Sequence, residues 1–147
     1  AGAGQNLDTG CKVVLNAPDT SATVETKGIS KSGGIQTFRS SIVATPKAEG
    51  SKATVSCQSL MLDDQSRSDT IPAMDIRAKN VDIGHEATIG RIGDDKVFYL
   101  MSRGISEEEA RTMIVNGFAN PVSKELPLEY AVEMNNLIKV EMEGAMG

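Results

Sequence analysis

Tryptophan is absent from the 147 residues, and three phenylalanines and two tyrosines are all the aromatics there are. A sheet sandwich therefore has little with which to fill its core. No apolar run approaches the roughly 20 residues of a membrane helix, so no membrane partner is expected. The start, Ala1 to Asp8, has no basic cluster followed by an apolar stretch, so no secretory signal is expected either. No Lys/Arg block exists that could track a phosphate backbone, and the formal charge is -5. Nucleic acid is excluded as an expected partner on that ground. Only two cysteines occur, Cys11 and Cys57, far apart in the chain. Without an export signal they read as reduced thiols, and the expected compartment is the cytoplasm. Phosphate loops, Gly-rich dinucleotide turns, nucleophile elbows and zinc spacings are all missing. With a single histidine, His85, and no activated nucleophile, the chain is not expected to be an enzyme.

What is present falls into two regions. Residues 1–93 hold ten Lys/Arg and ten Asp/Glu, whereas 94–147 hold five and ten, so the whole net charge lies in the last third. Phe38 is the one aromatic before Gly93, and Phe98, Tyr99, Phe118 and Tyr130 follow it. A boundary is expected there, giving regions 1–93 and 94–147.

Short β-branched runs recur through the first region: Thr23 to Thr26, Thr37 to Val43, Thr54 to Cys57, and Thr70-Ile71 leading into Met74 to Ile76. Each is bounded by Gly, Ser, Asn or Asp, the pattern of strands. Their leading threonines, Thr23, Thr37, Thr54 and Thr70, recur at a loose but nearly even interval. Two architectures suit that spacing equally: an antiparallel meander or sandwich, and a parallel β-helix whose narrow interior takes small or β-branched side chains.

The second region changes period. Val97, Leu100 and Met101 make one helical stripe over Asp95 to Arg103, with Gly104 as its stop. Ser106-Glu107-Glu108-Glu109 is a capping box with its acids at the positive helix end. Behind it Ala110, Met113, Ile114 and Phe118 form an apolar stripe, with Gly117 to Pro121 expected to end the helix. Pro127 opens a third helix with Ala131, Met134, Ile138 and Met142 on one side and Gly144 as its stop. Such short helices close little core alone and must pack on the strands, on each other or on a partner.

Three side chains could carry chemistry. Cys57 is in phase with Val55 and Met61, so its plain reading is an inward, inert thiol, and its sharper one a soft thiolate for iron or sulfur. His85 and Glu86 are neighbours on opposite faces of a strand, a surface pair on the plain reading, an imidazole and a carboxylate for iron on the sharper one. Cys11 receives no functional assignment. If the threonine interval is one coil of a β-helix, Cys57 and His85 lie nearly two coils apart. That is about 10 Å at the usual interstrand spacing. One metal ion could not bridge that gap, whereas a multi-metal cluster, or ligands pooled across two chains, could.

Several motifs resemble a known family. Gly84-His85-Glu86-Ala87-Thr88-Ile89-Gly90-Arg91-Ile92, then Phe98 to Ala110 and Ile114 to Phe118, look like the C-terminal part of the SufB/SufD family of iron–sulfur cluster assembly proteins. Asp8-Thr9-Gly10, Cys57-Gln58-Ser59-Leu60-Met61-Leu62, Glu125 to Glu133 and Glu143-Gly144 resemble the SufB branch. Gly84 departs from it, standing where SufB chains commonly carry an acid, and Phe98 to Gly104 is closer to SufD usage.

The resemblance implies a mainly β fold, a right-handed parallel β-helix followed by a small C-terminal α-helical segment, and so decides between the two architectures. It implies a scaffold that accepts sulfur and iron to build a transient iron–sulfur cluster. A SufC-type ATPase docked on the helical segment, a second SufB/SufD-type chain in a hetero- or homodimer, and a sulfur donor would be its partners. Carried over, Cys57 matches the cysteine implicated in sulfur acceptance and cluster assembly, His85 the histidine shared by both branches, and Glu86 the adjacent acid. Met113, Ile114 and Phe118 are the expected ATPase contacts. The competing expectation is a SufD-like adaptor that docks the ATPase and partner chain without carrying a cluster.

Overall fold

The computed structural model describes residues 1–143. Six strands of equal length come first: β1 (Asn6–Leu15), β2 (Ser21–Ser30), β3 (Ile35–Ala44), β4 (Lys52–Met61), β5 (Arg67–Ile76) and β6 (Asp82–Arg91). Three helices follow: α1 (Asp94–Met101), α2 (Glu107–Glu125) and α3 (Leu128–Glu143). By compactness the chain divides into Ala1–Gly90 and Arg91–Gly147.

Successive strands alternate between two three-stranded sheets, ordered β1-β3-β5 and β2-β4-β6. The pairs β1–β3, β2–β4 and β3–β5 are parallel, the arrangement of a parallel β-helix and not of an antiparallel meander. One coil therefore contains two strands. Asn6 pairs with Ile35, Thr23 with Thr54 and Phe38 with Thr70. Thr23 thus skips Thr37 to meet Thr54, so the threonine interval is half a coil, and it is every second strand that stacks.

The true period is legible in the turns. Asp19, Gly50 and Asn80 all have positive φ, at 53°, 74° and 52°, one in each turn that crosses from the first sheet to the second. Asn and Asp tolerate this left-handed conformation better than most residues, and Gly adopts it freely. Stacking of those turns is sealed by backbone bonds from Asp19 N to Glu49 O and from Gly50 N to Asn80 O. A side chain at Gly50 would also strike the Asp19 carboxylate.

Alternate positions point inward. Leu15, Phe38, Ile42, Ala44, Ala48, Ala53, Val55 and Cys57 form the buried cluster, with Cys11, Val13, Ala22, Val24, Ala78 and Ile83 packed against it. One phenylalanine suffices because small and branched side chains fill so narrow an interior. β1 and β6 lie outside the four β-branched runs. β6 is interrupted by Gly84 and Gly90, and only the second half of β1, Val13-Val14-Leu15, is an apolar run.

In the helical unit the capping box forms: the Ser106 hydroxyl accepts from Glu109 N and donates to the Glu109 carboxylate, both at 3.2 Å. The carboxylate thus meets the hydroxyl and not the Ser106 backbone N–H. Gly104, at φ 87°, closes the segment after α1. Contrary to the expected break at Gly117 to Pro121, α2 runs through both to Glu125. Pro121 would clash with the carbonyl four positions back and removes one bond. Packing against α3 outweighs that loss: Val115, Ala119 and Ser123 are buried beyond Ala110, and Asn135 Nδ2 donates to Ser123 Oγ at 3.5 Å. The inward stripe of α2 is therefore Ala110, Val115, Ala119 and Ser123, and Met113 faces out. On α3 Ala131, Met134 and Ile138 are half-buried and Met142 buried, the side read from the sequence. Its expected stop at Gly144 lies outside the described residues.

Candidate functional site

Cys57 lies at the sixth position of β4, following buried Ala53 and Val55, and is itself 5% exposed. Period-two alternation carries it inward, and parallel pairing sets it beside Thr26 of β2. β6 adds on the other edge of β4 and brings His85, half-buried. The Cys57 Sγ to His85 Nε2 separation is 3.4 Å. This overturns the roughly 10 Å expected from the sequence. The two residues are one coil apart, on adjacent strands of one sheet, because a coil holds two strands.

The imidazole tautomer decides which partner donates in this contact. Burial pushes the Cys57 thiol up from its ordinary range; the Thr70 hydroxyl acts in the opposite direction, and Cys11 adds to the rise. Thr70 Oγ1 is buried and meets no strict hydrogen-bond geometry with any described residue. Cys11 packs half-buried against the same cluster. Neither residue is marked by any sequence motif. What could have revealed them is the coil period, which puts Thr70 on the inward row with Phe38.

Glu86 does not join this pair: it is exposed on β6, at the position that alternation turns to the other face. Among the described residues no three His, Cys, Asp or Glu side chains converge on a possible metal position. Cys57 and His85 thus supply one soft sulfur and one imidazole nitrogen. Two such donors on one tetrahedral first-row metal lie about 3.6 Å apart, given bonds of about 2.3 Å to sulfur and 2.1 Å to nitrogen. The observed 3.4 Å is close to that separation.

In the helical unit Met113 is 52% exposed, and Ile114 and Phe118 are half-buried. Met113 lines a pocket of about 260 Å³ with Ile105, Glu108, Glu109, Thr112 and Lys139. Leu128, Tyr130, Val132, Leu137 and Val140 of α3 are exposed as well. No described helix is long and apolar enough to cross a membrane.

Comparison with known proteins agrees with the geometry. Residues 1–118, all six strands with α1 and the first part of α2, match the family described as "SUF system FeS cluster assembly, SufBD core domain". Over all 147 residues the chain is 52% identical to the iron–sulfur cluster assembly protein SufB of Bacillus subtilis, covering 32% of that protein. It is 50% identical to an iron–sulfur cluster assembly SufBD family protein of Staphylococcus saprophyticus, again 32% of its length. A SufBD family protein of Mycobacterium bovis is 46% identical, with 17% of its length covered. The chain spans about a third of the length of the first two relatives. Parallel coils, a buried cysteine against a histidine and these matches together make the chain a member of the SufB/SufD family of iron–sulfur cluster assembly proteins.

Proposed function

We propose that this chain is the part of a scaffold on which a nascent iron–sulfur cluster is built in the cytoplasm, and that it is not an enzyme. Cys57 accepts sulfur, Cys57 and His85 hold iron, and Glu86 serves iron or a partner from the opposite face of β6. The observation that carries this reading is the 3.4 Å approach of thiol and imidazole across β4 and β6. Mixed ligation by one thiolate and one imidazole retains iron less firmly than four cysteines would, which suits a cluster that must be handed on. The partner chain, of SufB/SufD type, supplies further ligands. It pairs at the last coil, where Met74 and Ile76 of β5 and Ile89 of β6 are exposed beside open strand edges. A sulfur donor completes the pathway.

The helical segment docks a SufC-type ATPase. Exposed Met113 and the surplus of acids in residues 94–147, ten against five bases, fit a partner with an apolar knob and a basic rim. Changing Met113 and Ile114 together to Asp should abolish co-purification with the ATPase while circular dichroism stays helical. Unchanged binding by a folded double variant would refute the docking surface.

The scaffold reading is tested by anaerobic reconstitution of the full-length protein and its partners with iron and sulfide, read by absorption spectroscopy. Cys57→Ser should lose the cluster, and His85→Ala should retain less of it than Cys11→Ser does. A second reading, the adaptor without a cluster, is favoured by the burial of Cys57 and the upward push on its thiol, both usual for an inert core cysteine. A normal cluster yield from Cys57→Ser would decide for it.

A further inference from the structure

α3 is apolar on two sides. Ala131, Met134, Ile138 and Met142 form the covered one, and α2 is the helix that packs on α3. Tyr130, Glu133, Leu137 and Val140 form a second line, spaced by three, four and three residues, the spacing of a seam laid against another helix or a groove. Its three apolar members are all more than half exposed. A helix at a protein surface ordinarily carries one apolar stripe against the core and a polar face outside. Exposed singly, such side chains would mean little, but on one line they make a patch that favours being covered.

Charge selects what covers it. Glu129 and Glu141 flank the line and Glu133 stands within it, all exposed. A second copy would set the same acids against themselves, and an anionic lipid surface would repel them. The patch also adjoins the Met113 surface, because Lys139, next in the chain to Val140, lines the same pocket as Met113.

We infer that the outer face of α3 is the principal contact of the ATPase, with Tyr130, Leu137 and Val140 entering an apolar groove whose basic side chain pairs with Glu133. The inference rests on the reading of the helical segment as the docking site.

The test titrates the ATPase into the full-length protein by calorimetry at low and high salt, with circular dichroism of each variant. Leu137→Ala, which installs the best helix former, should stay helical and bind about thirtyfold more weakly, the loss of a central anchor. Leu137→Asp should abolish binding. Glu133→Gln should weaken it about tenfold, the size of one hydrogen bond to a charged group, and flatten its salt dependence. Parental binding by folded Leu137→Ala and Leu137→Asp overturns the inference and leaves the docking reading on Met113. Loss of helix in Leu137→Ala overturns it too, since the face would then be covered within the full-length protein. So does a smaller assembly of Leu137→Asp alone in sedimentation, which would make the occupant a second copy. If the parent itself does not bind the ATPase, the docking reading falls and the inference falls with it.

Discussion

Replacing Cys57 by serine separates the fold from the chemistry. The side chain is 5% exposed, next to Val55 at 1%, so the substitution puts a hydroxyl where a thiol behaved as a small apolar group. An unpaired hydroxyl there would cost about 1–3 kcal/mol by mutational measures. One partner is at hand, His85 Nε2, which lies 3.4 Å from the sulfur. With that bond made the net loss falls to about 1 kcal/mol, small against the roughly 5–15 kcal/mol that holds a domain together. Urea unfolding followed by circular dichroism should therefore show a slightly lower midpoint and an unchanged slope. The alkaline limb gives a second check. Burial raises the folded-state pKa of Cys57 above its unfolded value. Its contribution is then fully present below the unfolded pKa, near about 8.5, and is lost as pH rises from there through the folded value. Cys57→Ser lacks this term, so its stability should fall less steeply than the parent's above about pH 8.5. A loss well beyond about 3 kcal/mol, or alkaline limbs of equal slope, would refute the account of Cys57 as a tolerant interior site.

Three further outcomes follow from the coils. Ile42→Ala, at a position 1% exposed on the middle strand of its sheet, should cost about 2–5 kcal/mol in urea unfolding. Gly10→Ala should destabilise by about 1–3 kcal/mol, because a Cβ there would lie 2.3 Å from the Arg39 carbonyl oxygen on the paired strand, and a neutral result would deny that close approach. Asp63 is buried enough to oppose its ionisation, yet bonds from the Ser66 hydroxyl and from the backbone N–H groups of Ser66, Gln65 and Ser32 prevail and hold its carboxyl below the usual range. That stability is present above the unfolded value near about 3.9 and is lost as pH falls through the lower folded value, so Asp63→Asn should be the less stable protein at pH 7 and the gap should close in acid.

The sequence determined whatever depends on neighbours along the chain. The four β-branched runs, the Ser106 to Glu109 capping box, the acidic helical region and the Asn, Asp and Gly of the turns are all local signals, and each is realised where it stands. Membership of the family was legible in motifs such as Gly84 to Ile92. Tertiary structure decided which strand lies beside which. Threonine runs at a nearly even interval fit both one strand per coil and two, and nothing local distinguishes them. The positive φ of Asp19, Gly50 and Asn80 records the longer period, but a Gly or Asn in a sequence does not announce its conformation. Packing likewise carried α2 through Gly117 and Pro121 against local preference, and turned Val115 inward where the apolar stripe had suggested Met113. The meeting of Cys57 and His85 is of the same kind. It joins β4 and β6, which lie side by side only because a coil holds two strands.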